Sequence, residues 1–197
     1  MSYPSKQELN SSMKIVHILT RLLKAGTEEN TLASCFHQIA EGHEVFLVYG
    51  EEREHSLVVQ AEQNGVKCIQ INCLVHSIGP VSDLKAIMAL RKLYKKIKPD
   101  ILHTHHSKAG MLARLAAVGS KCTVVHSVHI VPFYNTGALS KWMYIFAEKI
   151  CAFLTHQFID VSRATRDTYL KYSIGAKSDH EVVYSGCLLY TSDAADE

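Results

Sequence analysis

The sequence has 197 residues, and its 21 basic residues nearly balance its 19 acidic ones, so the net charge of +2 provides no field for binding nucleic acid. Hydrophobic residues make up 47% and charged residues 20% of the chain, as in a soluble globular domain with a core of its own. No apolar run reaches the roughly 20 residues that span a bilayer. The polar residues 1–13 lack the apolar centre of a secretory signal and are interpreted as a flexible leader. The six cysteines form no CxxC pair, which predicts reduced, mostly buried thiols in a cytoplasmic protein.

The first half of the chain alternates apolar runs with amphipathic segments. Residues 14–19 form a nearly continuous apolar run, which predicts a strand buried on both faces of a parallel sheet. A helix is predicted over residues 28–41, because its apolar positions recur at helical spacing, with Thr27 as its cap. Two more strands are predicted at residues 44–49 and 66–71, with a helix at residues 56–64 between them. This β-α-β-α-β order implies parallel strands joined by right-handed crossovers.

A long amphipathic helix is predicted over residues 81–98, between two prolines. Five apolar residues are expected on its inner face: Leu84, Ile87, Met88, Tyr94 and Ile97. Its outer face carries the basic residues Lys85, Arg91, Lys92, Lys95, Lys96 and Lys98. A basic amphipathic helix can lie on an anionic membrane, so peripheral contact with the inner face of a membrane is one interpretation. An ordinary solvated helix face is the other.

The second half continues the same alternation. Strands are predicted at residues 101–104, 123–128, 157–161 and 181–185, and helices at residues 109–118, 140–154 and 163–172. The whole pattern predicts an α/β fold with a Rossmann-like, doubly wound, mostly parallel sheet of about seven strands. Ligands of such sheets bind beyond the carboxyl ends of the strands, so the loops there are the candidate sites.

Three loops, at residues 21–27, 103–108 and 129–135, are expected to converge at that edge. The first leads into a helix start, which offers N–H groups to an anion such as a diphosphate, but it lacks the GxGxxG pattern of NAD-binding proteins. His129 follows the fifth strand and is the predicted catalytic residue, because a neutral imidazole donates and accepts hydrogen bonds near pH 7. The alternative is a histidine that only fixes its own loop. Strand alternation favours His129 over His126 as the residue that faces the cleft.

The second loop offers His105, His106, Ser107 and Lys108 to a hydroxylated or phosphorylated substrate. Clustered histidines can bind a metal ion, but no cysteine or carboxylate lies close by in the sequence, and no metal is predicted. Serine hydrolase chemistry is disfavoured because the chain has no GxSxG elbow. Glu148, in the middle of a predicted helix, is expected to be solvated or salt-bridged.

Several segments together resemble the N-terminal domain of family-4 glycosyltransferases, which are retaining enzymes of the GT-B type. The matching segments are residues 18–21, 25–32, 41–45, 103–110, 113–117, 128–129, 132–133, 161–162 and 183–186, within a domain of residues 14–186. The resemblance implies the N-terminal half of a GT-B fold. The sequence differs from the family pattern at Ala25, where a glycine is usual, and at Ile130, where glycine is frequent.

The resemblance also implies an activity and roles for individual residues. The activity is transfer of a sugar from a nucleotide-sugar donor to a glycan or lipid-linked acceptor in polysaccharide biosynthesis, with the nucleotide-sugar as co-substrate and no cofactor or metal. His129 would lie against the donor sugar. The loop of Ala25, Gly26 and Thr27 would place N–H groups near the donor diphosphate, and the loop of His105, His106, Ser107 and Lys108 would lie on the acceptor side.

The second, donor-binding domain of GT-B enzymes has no counterpart in this sequence. Residues 187–197 are interpreted as a foreign or disordered tail. The chain alone is therefore expected to be inactive. Two alternatives remain open: a related GT-B nucleotide-sugar epimerase, and a non-catalytic module that binds a glycan or a membrane surface.

Overall fold

The computed structural model, which describes residues 11–134 and 136–184, contains a sheet of seven parallel strands. The strands are β1 (Lys14–Ile18), β2 (Glu44–Tyr49), β3 (Lys67–Gln70), β4 (Ile101–Thr104), β5 (Thr123–Val128), β6 (Gln157–Asp160) and β7 (His180–Val182). The α-helices are α1 (Gly26–Ala40), α2 (His55–Gln63), α3 (Pro80–Ile97), α4 (Ser107–Ala116), α5 (Ala138–Ala152) and α6 (Arg163–Lys171). The strand order is β3-β2-β1-β4-β5-β6-β7, so the chain reverses its direction of winding between β1 and β4. The predicted Rossmann-like fold is confirmed, and ligands of such sheets bind at this reversal.

The predicted strands and helices are all present, but several helices begin earlier than their patterns suggest. The prediction that Thr27 caps the first helix is wrong. Helix α1 begins at Gly26, and Ala25 occupies the cap position with extended backbone and no side-chain cap. Thr27 lies within the first turn, and its carbonyl accepts a hydrogen bond from the hydroxyl of Thr31 at 2.8 Å. Backbone groups alone therefore begin this helix.

The helices form two layers, one on each face of the sheet. On one face, Leu19 and Leu47 pack in a cluster with residues of α1 and α2. On the other face, the alternate residues Ile18 and Val48 pack with α3 and α4. Val128 of β5 packs there too, in a cluster with α5 and α6. Side chains alternate along a strand, so α3, α4, α5 and α6 share one layer opposite α1 and α2.

The second layer contains a buried ion pair. The guanidinium of Arg114 in α4 donates to the carboxylate of Glu148 in α5 at 2.8 Å, and both side chains are 0% exposed. Arg114 also donates to the carbonyl of Gly110 at 2.9 Å and to the hydroxyl of Thr155 at 3.3 Å. Of the two roles expected for Glu148, the structure shows the salt bridge and not the solvated side chain, and this salt bridge ties α4 to α5.

The predicted inner face of α3 is wrong at two positions. Leu84 is 58% and Met88 is 54% exposed. The predicted Tyr94 and Ile97 are buried, together with Leu90. All six predicted basic residues of this helix are exposed. The outer face of α3 is therefore apolar in its first half and basic in its second half.

The described cysteines are free thiols, as expected: Cys35, Cys122 and Cys151 are buried, and Cys68 and Cys73 are half-buried. Among the described helices, none has both the length and the hydropathy to cross a bilayer. Most of the predicted leader and the whole predicted tail at residues 187–197 lie outside the described residues.

Candidate active site

A cleft of about 390 Å³ lies at the carboxyl ends of the central strands. Its walls come from all three loops that the sequence singles out: the loop after β1, the loop after β4 and the loop after β5. The predicted convergence of these loops is confirmed for the described residues. The physical reason is the parallel sheet, in which every strand ends at the same edge.

The first wall is the loop that enters α1. Ala25 and Thr27 line the cleft, and Gly26 lies between them as the first residue of the helix. No atom lies within 4 Å of the position that a Cβ on Gly26 would take, so packing does not require glycine there. The first-turn N–H groups and the positive end of the helix dipole are at the cleft, which suits an anion. Arg21 adds a cation to this wall, and its buried Nε has no hydrogen-bond partner among the described residues.

The second wall is the loop of the predicted acceptor side. His106 has φ of 61° and ψ of 152°, a conformation found essentially only for glycine, and such strain concentrates at functional sites. Ser107 lines the cleft with a buried hydroxyl that has no partner in the described part of the chain. The ammonium of Lys108 also lies at the cleft but donates to the Ser77 carbonyl and pairs with Asp83 at 2.7 Å. Its charge is therefore already neutralised within the protein.

His105 does not line the cleft. It is 3% exposed and lies behind the wall, where its Nδ1 is 3.2 Å from Nε2 of His129. Of the four residues predicted for the acceptor side, three reach the cleft and His105 supports it from beneath. The sequence does not reveal this difference, because neighbouring residues of a short loop can point either way.

His129 forms part of the third wall, as predicted from strand alternation. Burial lowers its pKa from 6.5 to about 4, so the ring is neutral near pH 7. His126 also contributes to the lining, but it is 2% exposed and bonded at Nδ1 to the Thr104 hydroxyl at 2.8 Å. His129 is therefore the more accessible of the two histidines.

Glu28 is a cleft residue that sequence reasoning missed. It is 4% exposed, and its carboxylate lies 3.6 Å from Nε2 of His106. Burial raises the pKa of Glu28, while hydrogen bonds from backbone N–H groups and the charge of Arg21 lower it. A buried carboxyl with a raised pKa in a cleft is a candidate acid or base. Its signal in the sequence is weak, because acidic residues at helix starts usually only complement the helix dipole.

A group of three histidines lies beneath the cleft. The ligand nitrogens of His17, His103 and His105 are all within 4.8 Å of one another. Sequence reasoning missed His17, because it comes from β1 and meets His103 only through the register of β1 with β4. These rings could hold a metal ion, although the sequence predicts none.

The parallel sheet, with a cleft and a helix start at its switch point, places the chain in the Rossmann-like class of folds, whose ligands bind at that point. Residues 26–187 match Glycosyltransferase Family 4. The chain is 33% identical over 147 residues to the UDP-Gal:alpha-D-GlcNAc-diphosphoundecaprenol alpha-1,3-galactosyltransferase of Escherichia coli, covering 71% of this chain and 37% of that protein. The chain therefore belongs to glycosyltransferase family 4, and it spans little more than a third of that relative's length.

Solved structures share the fold. A glycosyltransferase from Rickettsia africae ESF-5 matches with a TM-score of 0.70 at 20% identity, over 88% of this chain and 43% of that one. Anabaena Alr3699/HepE in complex with UDP and glucose matches with a TM-score of 0.64 at 13% identity, over 89% and 45%. The UDP-GlcNAc 2-epimerase from Neisseria meningitidis bound to UDP-GlcNAc matches with a TM-score of 0.60 at 16% identity, over 88% and 47%. The fold is thus the Rossmann-like N-terminal domain of GT-B glycosyltransferases.

Proposed function

We propose that this chain is the acceptor-side domain of a retaining glycosyltransferase that moves a sugar from a nucleotide-sugar to a glycan or lipid-linked acceptor. The observation that carries the proposal is the single cleft that joins the start of α1, the strained loop at His106 and the neutral ring of His129. The similar galactosyltransferase uses a UDP-sugar and a diphosphoundecaprenol-linked sugar, and the similar Anabaena protein binds UDP and glucose.

In this proposal the donor diphosphate lies at the start of α1. The first-turn N–H groups near Gly26 and the unpartnered Nε of Arg21 would stabilise the charge that develops on the leaving diphosphate. His129 would contact the donor sugar. Positioning and electrostatics supply the rate enhancement, so the nucleotide-sugar is a co-substrate and no cofactor or metal is needed.

The acceptor would lie against the second wall. The Ser107 hydroxyl lacks a partner in the described part of the chain, and Glu28 faces His106, so this wall offers hydrogen bonds to a sugar hydroxyl. Lys108 is occupied by its ion pair with Asp83 and would orient the loop rather than bind substrate.

A product assay tests this function. Two proteins would be assayed: the present chain alone, and a joined protein in which residues up to 184 of this chain precede the part of the similar galactosyltransferase that the present chain does not match. Each would be given UDP-galactose and an N-acetylglucosaminyl diphospholipid. We expect acceptor-dependent product from the joined protein and at least a 100-fold loss with His129→Ala, roughly the effect of removing one catalytic proton-transfer or electrostatic group. Exposed His55 provides the control, because His55→Ala should leave transfer unchanged.

Other outcomes point to the alternatives. Turnover of a UDP-sugar without any acceptor would support the epimerase hypothesis. The fold is compatible with it, because a UDP-GlcNAc 2-epimerase has a similar fold. Glycan or vesicle binding that survives His129→Ala, with no transfer in either protein, would support a non-catalytic binding module.

We further propose that the α3–α5 layer docks on an anionic membrane, with the protein on its cytoplasmic face. Helix α5 exposes an apolar stripe at helical spacing: Leu139, Trp142, Met143, Phe146, Ile150 and, just beyond its end, Phe153. Val81, Leu84 and Met88 are also exposed, on the first half of α3, which contacts α4 as α5 does. An exposed apolar stripe of this extent indicates an interaction surface.

The charges around this stripe favour an anionic lipid surface. Lys85 lies in the apolar first half of α3 and Lys149 lies on α5, both exposed. The remaining predicted basic residues of α3 lie at the opposite edge of the sheet, where Arg91, Lys95 and Lys98 line a separate recess. Lipid contact would thus come mainly from the apolar side chains of α5 and of the first half of α3, and the far lysines would add long-range attraction.

Vesicle sedimentation tests the membrane proposal. With phosphatidylglycerol–phosphatidylcholine vesicles, we expect Trp142→Ser with Phe146→Ser to abolish binding. Lys92→Glu with Lys96→Glu should weaken binding mainly at low salt, because exposed charges are screened. Val183, exposed beyond β7, provides the control Val183→Ser, which should bind normally. Unchanged binding of the Trp142 and Phe146 variant, or self-association lost with it, would instead assign the stripe to a protein partner.

A further inference from the structure

A path of hydrogen-bonded side chains runs from α1 to His129 behind the cleft. Nε2 of His17 lies 2.8 Å from Oε1 of Gln38, and Nδ1 of His17 lies 3.0 Å from Nε2 of His105. Nδ1 of His105 lies 3.2 Å from Nε2 of His129. His17 is 0% and His105 is 3% exposed, so water does not replace these partners. The path therefore links the amide of Gln38 to the ring that faces the cleft.

The three imidazoles of the path are neutral near pH 7. Burial lowers the pKa of His17 to about 4, although its hydrogen bond with Gln38 opposes this effect. Burial, followed by the neighbouring histidines, holds the pKa of His105 well below its usual value, and burial lowers that of His129 to about 4. A neutral imidazole has one N–H and one lone pair. Each ring along the path must therefore donate at one nitrogen and accept at the other.

Gln38 sets the direction of donation. Its amide oxygen accepts, so His17 donates from Nε2 and accepts at Nδ1 from Nε2 of His105. Nδ1 of His105 must then accept. The hydroxyl of Thr31 is 3.4 Å from that nitrogen but donates to a backbone carbonyl at 2.8 Å. The donor to His105 is consequently Nε2 of His129.

We propose that Gln38 is a positioning residue that holds His129 as its Nε2–H tautomer and leaves Nδ1 of His129 as a hydrogen-bond acceptor. The inference rests on the proposed function, in which His129 lies against the donor sugar. A bare Nδ1 accepts from a sugar hydroxyl and cannot donate to a phosphate oxygen, so the tautomer selects the ligand group beside the ring. Gln38 thus acts on the cleft without contacting the substrate.

A metal ion held by His17, His103 and His105 is the competing use of these rings. The groups that contact them are an amide, hydroxyls and another imidazole: Gln38, Thr31, Ser127 and His129. None of these contacts carries a negative charge to offset a buried divalent cation. Nδ1 of His17 and Nε2 of His105 also face each other at hydrogen-bond distance. The geometry therefore favours the hydrogen-bonded path.

Long-range 1H–15N correlation spectra of the purified full chain test the assignment, because they distinguish the two tautomers of each histidine. We expect His17, His105 and His129 each as a single Nε2–H form in the unmodified protein. Gln38→Met removes the acceptor at similar size, and we expect Nδ1–H to become populated on His129. Gln60→Met, on the exposed side of α2, is the matched control and should leave His129 unchanged. His17→Leu provides a second interruption if Gln38→Met does not fold.

Three results would overturn the assignment. Nδ1–H on His129 in the unmodified protein would mean that Gln38 presents its NH₂ group and reverses every bond. If the tautomer of His129 is unchanged in folded Gln38→Met and His17→Leu variants, Gln38 does not determine that tautomer. Stoichiometric zinc that is lost with His103→Gln would assign the rings to a metal. The readout needs no turnover, so a shifted tautomer, found together with a joined protein that transfers no sugar, would leave the positioning role standing and refute only the proposed function.

Discussion

The two faces of the sheet bury two different polar clusters. On the α1 face, His17 and His105 are neutral and connect to a residue that lines the cleft. On the other face, Arg114 and Glu148 are charged, fully buried and paired with each other. The first cluster reaches the cleft through His129, whereas the second is closed off from the cleft and joins two helices. The comparison separates a polar cluster that serves a site from one that serves the fold.

The largest effect is expected from breaking the closed cluster. Glu148→Ala leaves the Arg114 guanidinium buried without its partner, which should lower the free energy of unfolding by about 3–5 kcal/mol in chemical denaturation. The exposed pair of Arg166 and Asp167 provides the control, since Asp167→Ala should change stability by less than about 0.5 kcal/mol. Replacing both buried partners, as Arg114→Met with Glu148→Leu, should recover most of the loss. If Glu148→Ala changes the free energy of unfolding only slightly, the Arg114 guanidinium is not left buried without a partner, and the prediction is wrong.

The neutral cluster should reveal itself through pH. The folded protein keeps His17 neutral down to about pH 4, whereas the unfolded chain takes up a proton below about pH 6.5. The free energy of unfolding should therefore fall as the pH decreases between these values, by about 3 kcal/mol for His17. His17→Leu should remove that part of the decrease in denaturation curves measured from pH 7 to 4. His55→Leu, at an exposed position, should retain it, and an identical decrease in both variants would contradict a buried neutral His17.

The smallest effects are expected at two glycines: Gly26, which begins α1 at the cleft, and Gly110, which contacts the closed cluster through Arg114. A Cβ on Gly110 would lie 2.5 Å from Cε1 of the buried His126, so Gly110→Ala should destabilise the closed side by about 1–3 kcal/mol. A Cβ on Gly26 would meet nothing within 4 Å, so Gly26→Ala should change thermal stability by less than about 1 kcal/mol. Thermal unfolding of both variants checks this contrast. Equal losses of stability in the two variants would show that the surroundings of Gly26 are packed as tightly as those of Gly110.

The fold could be predicted because its signals are local. Continuous apolar runs such as residues 44–49 specify strands buried on both faces, and the alternation of runs with helices specifies parallel order. The helix starts were harder, since the one at Gly26 has no side-chain cap to recognise. The inner face of α3 was misjudged because its exposed stripe is itself apolar at Leu84 and Met88, so hydrophobic periodicity could not tell core from interaction surface.

The site was predictable in its location and less so in its composition. His129, His106 and Ser107 could be placed at the cleft because they follow strands whose carboxyl ends share one edge. Glu28 was missed because the residues that interact with it in the cleft, His106 and Arg21, come from other loops. The ion pair of Lys108 with Asp83 joins two segments that the sequence gives no reason to pair.

The sequence by itself determined the α/β class, the parallel order of the strands and the edge of the sheet at which ligands bind, because these follow from hydrophobic periodicity and chain connectivity. Only the tertiary structure decided which polar side chains are buried together. The register of β1 with β4 brings His17 beside His103, and α1 supplies Gln38 to the same group. Such contacts depend on distances across the sheet, and the burial that comes with them lowers the pKa of His17 and His105.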